Sequence, residues 1–166
     1  MESVERRQVG VIVERRKLKS AWGDFSWHPS AVLPGVPALS AWTVTAKGDG
    51  WEQYYVGAAT LEMFRTETET LKYNLESAEP AVYVFLRHTV EEPGIELFGA
   101  TVCPGEAHAH RDTGDDIVEP VAMPPPIRDW VAAFVEAHHV EREFYKRKNQ
   151  RFDPETLARK RPGGTS

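Results

Sequence analysis

Residues 119–152 read EPVAMPPPIRDWVAAFVEAHHVEREFYKRKNQRF. Ile127, Trp130, Val131, Phe134, Val135 and His138 recur at three- and four-residue steps, which places them on one stripe of a helix. Pro125 or Pro126 fits its first turn, where a missing amide hydrogen costs little. Burying the stripe is worth about 1.5–3 kcal/mol per large side chain before chain entropy is deducted. A helix with one apolar stripe needs a surface to cover, and the runs upstream of it are those of strands.

Gln8–Arg15 contains the β-branched run VGVIVER, suited to a largely buried strand. Ala31–Leu33 is a short strand ended by Pro34-Gly35 and Pro37. Trp42–Ala46 and Trp51–Val56 flank Lys47-Gly48-Asp49-Gly50 and predict a hairpin. Leu61–Phe64 alternates as a further strand. Thr66 and Glu69 are spaced as a capping box, and Leu71 and Leu75 predict a helix over roughly 67–77. Pro80 stops it before the strand Val82–Leu86. A turn at Glu92-Pro-Gly94 then returns the chain through Ile95–Val102.

These elements predict an α+β fold: a bent antiparallel sheet of about six or seven strands, forming a partly closed barrel. One helix is inserted, and the C-terminal helix packs over the sheet. A flatter two-layer sandwich is the alternative. Residues 1–152 are expected to form a single globular domain and 153–166 a flexible basic tail.

A chain of 166 residues suits one core that buries about 70% of its unfolded surface. One cysteine, Cys103, forms no internal disulfide and points to a reducing compartment. The first twenty residues are too charged for a secretory signal, and no apolar run approaches the ~20 residues of a membrane span. We expect a cytoplasmic protein without membrane association. Charge is uneven: residues 1–20 carry a net +3, residues 142–166 a net +5, and residues 21–141 a net −13. An acidic body with basic ends suits an acidic protein partner better than nucleic acid.

No phosphate-loop, dinucleotide, nucleophile-elbow or Cys-x-x-Cys motif occurs. Three sets of residues remain as candidates. Glu106, His108, His110 and Asp112 have ligand chemistry for a divalent metal, since imidazoles and carboxylates complete many such sites. The competing reading of that segment is a polar loop. Trp22, Trp27, Trp42 and Trp51 could line a ligand pocket, although core packing is the commoner fate of tryptophan. Tyr145, Lys146, Arg147, Lys148 and Arg151 form a basic segment able to touch an acidic partner. His138 and His139 are read as capping the end of their helix, and Cys103 as a small core residue.

Several elements resemble an uncharacterised bacterial family, the domain-of-unknown-function family 3305. They are Val13-Glu-Arg-Arg16, Trp22 with Trp27, Ala31-Val-Leu-Pro-Gly35, and Asn74-Leu75 followed by Val82-Tyr-Val-Phe-Leu-Arg87. Pro104-x-Glu106-Ala107, Met123-Pro124, Trp130-x-x-x-Phe134, His138-His139-Val140 and Phe144-Tyr-Lys-Arg-Lys148 continue the series. The resemblance covers about residues 8–152, and His108 and His110 fall outside its pattern. It implies a place beside molybdenum-dependent formate dehydrogenase components and their maturation proteins in gene order, and it carries over no catalytic residues. The leading expectation is a non-enzymatic accessory or assembly protein without a cofactor. Its partner would be a formate dehydrogenase subunit or maturation factor. The alternatives are a small metal-dependent enzyme built on the Glu106 to Asp112 set and a ligand-binding barrel lined by the tryptophans.

Overall fold

The computed structural model describes residues 4–19, 25–113 and 116–151, with the side chains of Thr113 and of residues 140–151 excepted. The elements in chain order are β1 (Val4–Lys17), β2 (Phe25–Leu33), β3 (Thr43–Gly48), β4 (Trp51–Phe64), a 3-10 turn (Arg65–Glu67) and α1 (Thr68–Glu76). β5 (Ala81–His88), β6 (Ile95–Thr101), α2 (Pro104–Thr113), β7 (Asp116–Ala122) and α3 (Pro125–Arg151) follow.

The α+β class and the antiparallel pairing hold, but the strands form two sheets rather than one closing barrel. The first has the order β2-β1-β4-β3 and the second β6-β5-β7. β2 lies against β7 and β4 against β6 without backbone pairing, so the sheets meet through side chains. The reason lies between β4 and β5: the turn and α1 lift the chain out of the first sheet, and β5 starts a new ladder instead of extending the old one.

Val9, Val11 and Val13 alternate on β1 and are fully buried, as are Leu61 and Met63 on β4. They share one core with Val82, Val84 and Leu86 of β5 and with Leu71 of α1. The other face of β1 is also closed: a methyl group on Gly10 would lie 3.0 Å from both Pro37 and Tyr55, so a larger residue there would push on the loop that crosses it. β5 is buried on both faces, with Phe85 facing a smaller cluster that contains Ala107 of α2 and Val118 of β7.

The expected hairpin is present, with Asp49-Gly50 between Gly48 and Trp51 and Gly50 at φ 81°. The strand expected at 61–64 and the second hairpin strand are one element, β4. Gly57, at φ 128°, sits at a register shift opposite Val11/Ile12, and the ladder continues through this bulge. β2 is longer than expected because Pro29 stands at a second bulge, where a missing donor is tolerated. β7 was hidden by Pro120, which an edge strand accepts.

α1, Thr68–Glu76, lies within the expected range, and the 3-10 turn Arg65–Glu67 precedes it. The carboxylate contact of a capping box falls on that turn: the Glu67 carboxylate accepts the backbone N–H of Phe64 at 3.2 Å. α3 starts on the Pro124 carbonyl, which accepts the Ile127 and Arg128 amides at 3.0 and 2.9 Å, with Pro125 and Pro126 in the first turn. Ile127, Val131, Phe134 and Val135 are buried, Arg128, Asp129 and Glu136 exposed. Trp130 is half-buried: its indole N–H donates to Glu5 at 2.9 Å, and the Arg7 guanidinium lies 5.2 Å from its ring. No helix of the described residues is long and apolar enough to cross a membrane.

Candidate functional site

Trp27 and Trp51 lie in the first sheet and Trp42 just before β3, but they do not meet around one cavity. Trp27 on β2 and Trp42 before β3 meet edge to face at 5.7 Å, and Tyr54 of β4 packs on Trp42 at 5.5 Å and on Trp27 at 6.1 Å. Trp42 holds a left-handed backbone, φ 73°, a conformation that costs a non-glycine residue energy and is held here by this packing. The cluster already contains a cation. The Arg15 guanidinium lies 4.2 Å from the Phe25 ring and within 6 Å of Trp27 and Tyr54, and it donates to Glu52 at 3.0 Å. Tyr54 hydrogen-bonds the same carboxylate. Burial, with the Glu52 bond second, raises the pKa of this phenol, and Arg15 partly opposes the shift. Trp51 lies apart, over Gly48, and lines a cleft of about 150 Å³ with Arg15 and Phe25. A small-molecule site needs about 300 Å³ or more. Trp22 lies outside the described residues.

The segment expected as a polar loop around His108 is the helix α2. Pro104-Gly105 reads as a turn by composition, yet proline suits the first helical position, and the Cys103 carbonyl accepts the amides of Glu106 and Ala107 at 3.1 and 3.2 Å. Two residues apart on a helix are about 200° apart, so His108 and His110 face different ways. His110 stacks on Phe85 at 4.2 Å, with Nδ1 3.6 Å from Asp116, whose side chain is buried and also accepts from Arg87. Glu106 turns back to accept the Thr101 hydroxyl at 2.8 Å. His108 and Asp112, four apart, share the remaining face. Among the described residues no group of three or more His, Cys, Asp or Glu is arranged to hold a metal ion. Of the four expected ligands, Glu106 and His110 are thus taken up in separate contacts, while His108 and Asp112 line the hollow between α1 and α2.

Where α1 meets α2, the structure assembles what periodicity did not predict. Asn74 is buried; its amide donates to the carbonyls of Ala81 (2.8 Å) and Val102 (2.9 Å) and its oxygen accepts the Ala81 amide (3.0 Å). This one side chain ties α1 to the start of β5 and the end of β6. Next to it the Thr70 hydroxyl and the Cys103 sulfur are 3.2 Å apart, and the Thr101 hydroxyl accepts the Cys103 amide. Burial pushes the Cys103 thiol up, opposite to what a nucleophile needs. The Glu67 carboxyl is also raised, by desolvation first and by the charges of Glu106 and Glu62.

Over this junction runs an open groove. One hollow, about 640 Å³, is lined by Glu69, Thr70, Tyr73, Pro104, Gly105, His108, Ala109 and Asp112. A second, about 870 Å³, continues from Tyr73 past Glu79, Pro80 and Tyr83 to Pro120 and Met123. Tyr73 is 73% exposed between them. The signal for it was available: Leu71 and Leu75 define the buried stripe of α1, and Tyr73 falls on the opposite side.

His138 and His139 do not cap a helix end, because α3 continues to Arg151. His138 packs on Phe134 at 4.6 Å, and His139 Nδ1 lies 3.3 Å from the Thr68 hydroxyl at the start of α1. Tyr145, Lys146, Arg147, Lys148 and Arg151 fall on the last turns of α3, with side chains outside those described. The model of a family described as "Protein of unknown function (DUF3305)" matches residues 8–148. No curated protein and no solved structure matches the chain.

Proposed function

The chain belongs to the DUF3305 family, and from that premise we propose a non-enzymatic accessory or assembly protein that holds an acidic partner through the basic end of α3. The observation that carries the reading is the division of labour along this one 27-residue helix. Its first three turns anchor it through Ile127, Val131, Phe134 and Val135. Its last turns add Arg142, Lys146, Arg147, Lys148 and Arg151 in sequence. Those cations are on an element whose orientation the core sets, which lowers the entropy lost on docking. The gene order implied by the family resemblance makes a molybdenum-dependent formate dehydrogenase subunit or maturation factor the partner of choice.

A chain ended at Phe144 tests this against the purified dehydrogenase and its maturation factors. Its thermal midpoint should stay within about 2 °C of the full chain, because the removed part contributes little to the core. Affinity for the partner should fall at least about tenfold, and the affinity of the full chain should drop as salt rises toward the ~8 Å screening length of physiological buffer. Full formate dehydrogenase activity in a host carrying only the shortened chain overturns the reading. Unfolding of the shortened chain makes the segment structural instead.

A further inference from the structure

We propose that the groove centred on Tyr73 binds an extended segment of a partner protein in which lysine or arginine alternates with apolar residues. Two open hollows flank Tyr73, so a peptide strand that crosses this ring would occupy both, unlike a ligand of an enclosed small-molecule cavity. The lining of the groove is largely apolar. It carries Asp112 at one end and Glu79 at the other, and no lysine or arginine. Carboxylates beside an exposed tyrosine face are the complement of an ammonium or guanidinium group. The wall that carries Tyr73 is pre-ordered, since Asn74 fastens α1 to two strands. A partner segment carrying lysine or arginine is the occupant that the charge of the lining selects. The inference does not depend on the role of α3: this surface takes the opposite charge.

The test uses the full chain labelled with ¹⁵N and a synthetic ten-residue probe of alternating leucine, proline and arginine, with its glutamate counterpart as control. The arginine probe should shift backbone amides in 69–83 and 105–112, and the glutamate probe should not. Tyr73→Ala and Asp112→Lys replace exposed side chains; each should leave the fold intact by circular dichroism and weaken the arginine probe at least about fivefold. Absence of binding by the arginine probe, equal binding of both probes, shifts confined to other surfaces, or indifference to both substitutions overturns the proposal. The same titration on a chain ended at Phe152 should give an unchanged affinity. A tenfold tighter affinity there would assign the groove to the chain's own tail, and self-association abolished by Tyr73→Ala would assign it to a second copy. Either result also overturns the proposal.

Discussion

The aromatic cluster of the first sheet and the groove beside the second are made of similar parts, aromatic rings and carboxylates, and differ in one. In the cluster, Arg15 supplies the cation from within the fold, against Phe25 and Glu52. In the lining of the groove there is no lysine or arginine, and Tyr73 stands open. Rings and charges that satisfy one another are structural; an exposed ring flanked by Asp112 and Glu79 is a surface for something else. The described tryptophans of the candidate pocket mostly pack on their neighbours, while Tyr73, outside the candidate sets, marks the groove.

The comparison breaks most completely if the groove loses its wall. Asn74→Ala leaves a buried N–H and two buried carbonyls without the partner they have now. We expect a loss of about 3 kcal/mol, read as a thermal midpoint about 6–12 °C lower for a chain of this size. Calorimetry showing a shift within 1 °C would mean that α1 is held by other contacts.

Removing the internal cation should make the cluster resemble the groove. Arg15→Leu takes the guanidinium from Phe25, Trp27 and Tyr54 and its hydrogen bond from Glu52. Because the pair is about a third exposed, the expected loss is about 1–2 kcal/mol in urea unfolding. The sharper readout is Tyr54. Arg15 lowers its pKa against burial and Glu52, so without Arg15 the phenol should ionise at still higher pH in an ultraviolet titration. A downward move would contradict this electrostatic account.

The smallest effect concerns Glu67, beneath the groove. Its folded pKa is raised above the ordinary 4.5, so the folded state holds the proton more tightly than the unfolded chain. That term favours folding when the carboxyl is protonated and is lost as pH rises from the unfolded value through the folded one. Glu67→Gln keeps an oxygen for the Phe64 amide and removes the ionisation. Its stability at neutral pH should equal or exceed the wild type by up to about 1 kcal/mol. The dependence of stability on pH just above 4.5 should flatten. An unchanged slope in urea titrations across that range would show that burial does not penalise this carboxylate.

Much of the architecture follows from periodicity alone. The β-branched run at Val9–Val13, the Asp49-Gly50 turn, the helix over Leu71 and Leu75 and the stripe of α3 are local patterns, and each forms where its residues require. Local patterns also mislead where two readings compete. Pro104-Gly105 serves a helix start as well as a turn, and tertiary contacts such as Ala107 and His110 on Phe85 go with the helix. Once α2 forms, the helical period separates His108 from His110, and the metal set comes apart for that reason.

What the sequence determined by itself was the list of elements, the acidic body with basic ends, and the family signature. Whether the strands close into one sheet or split into two depended on which edges pair, a contact between residues far apart that no local period encodes. The same holds for the groove: its walls come from α1, α2, β5 and β7, and its anchor is one asparagine whose three hydrogen bonds to Ala81 and Val102 only the folded chain brings within reach.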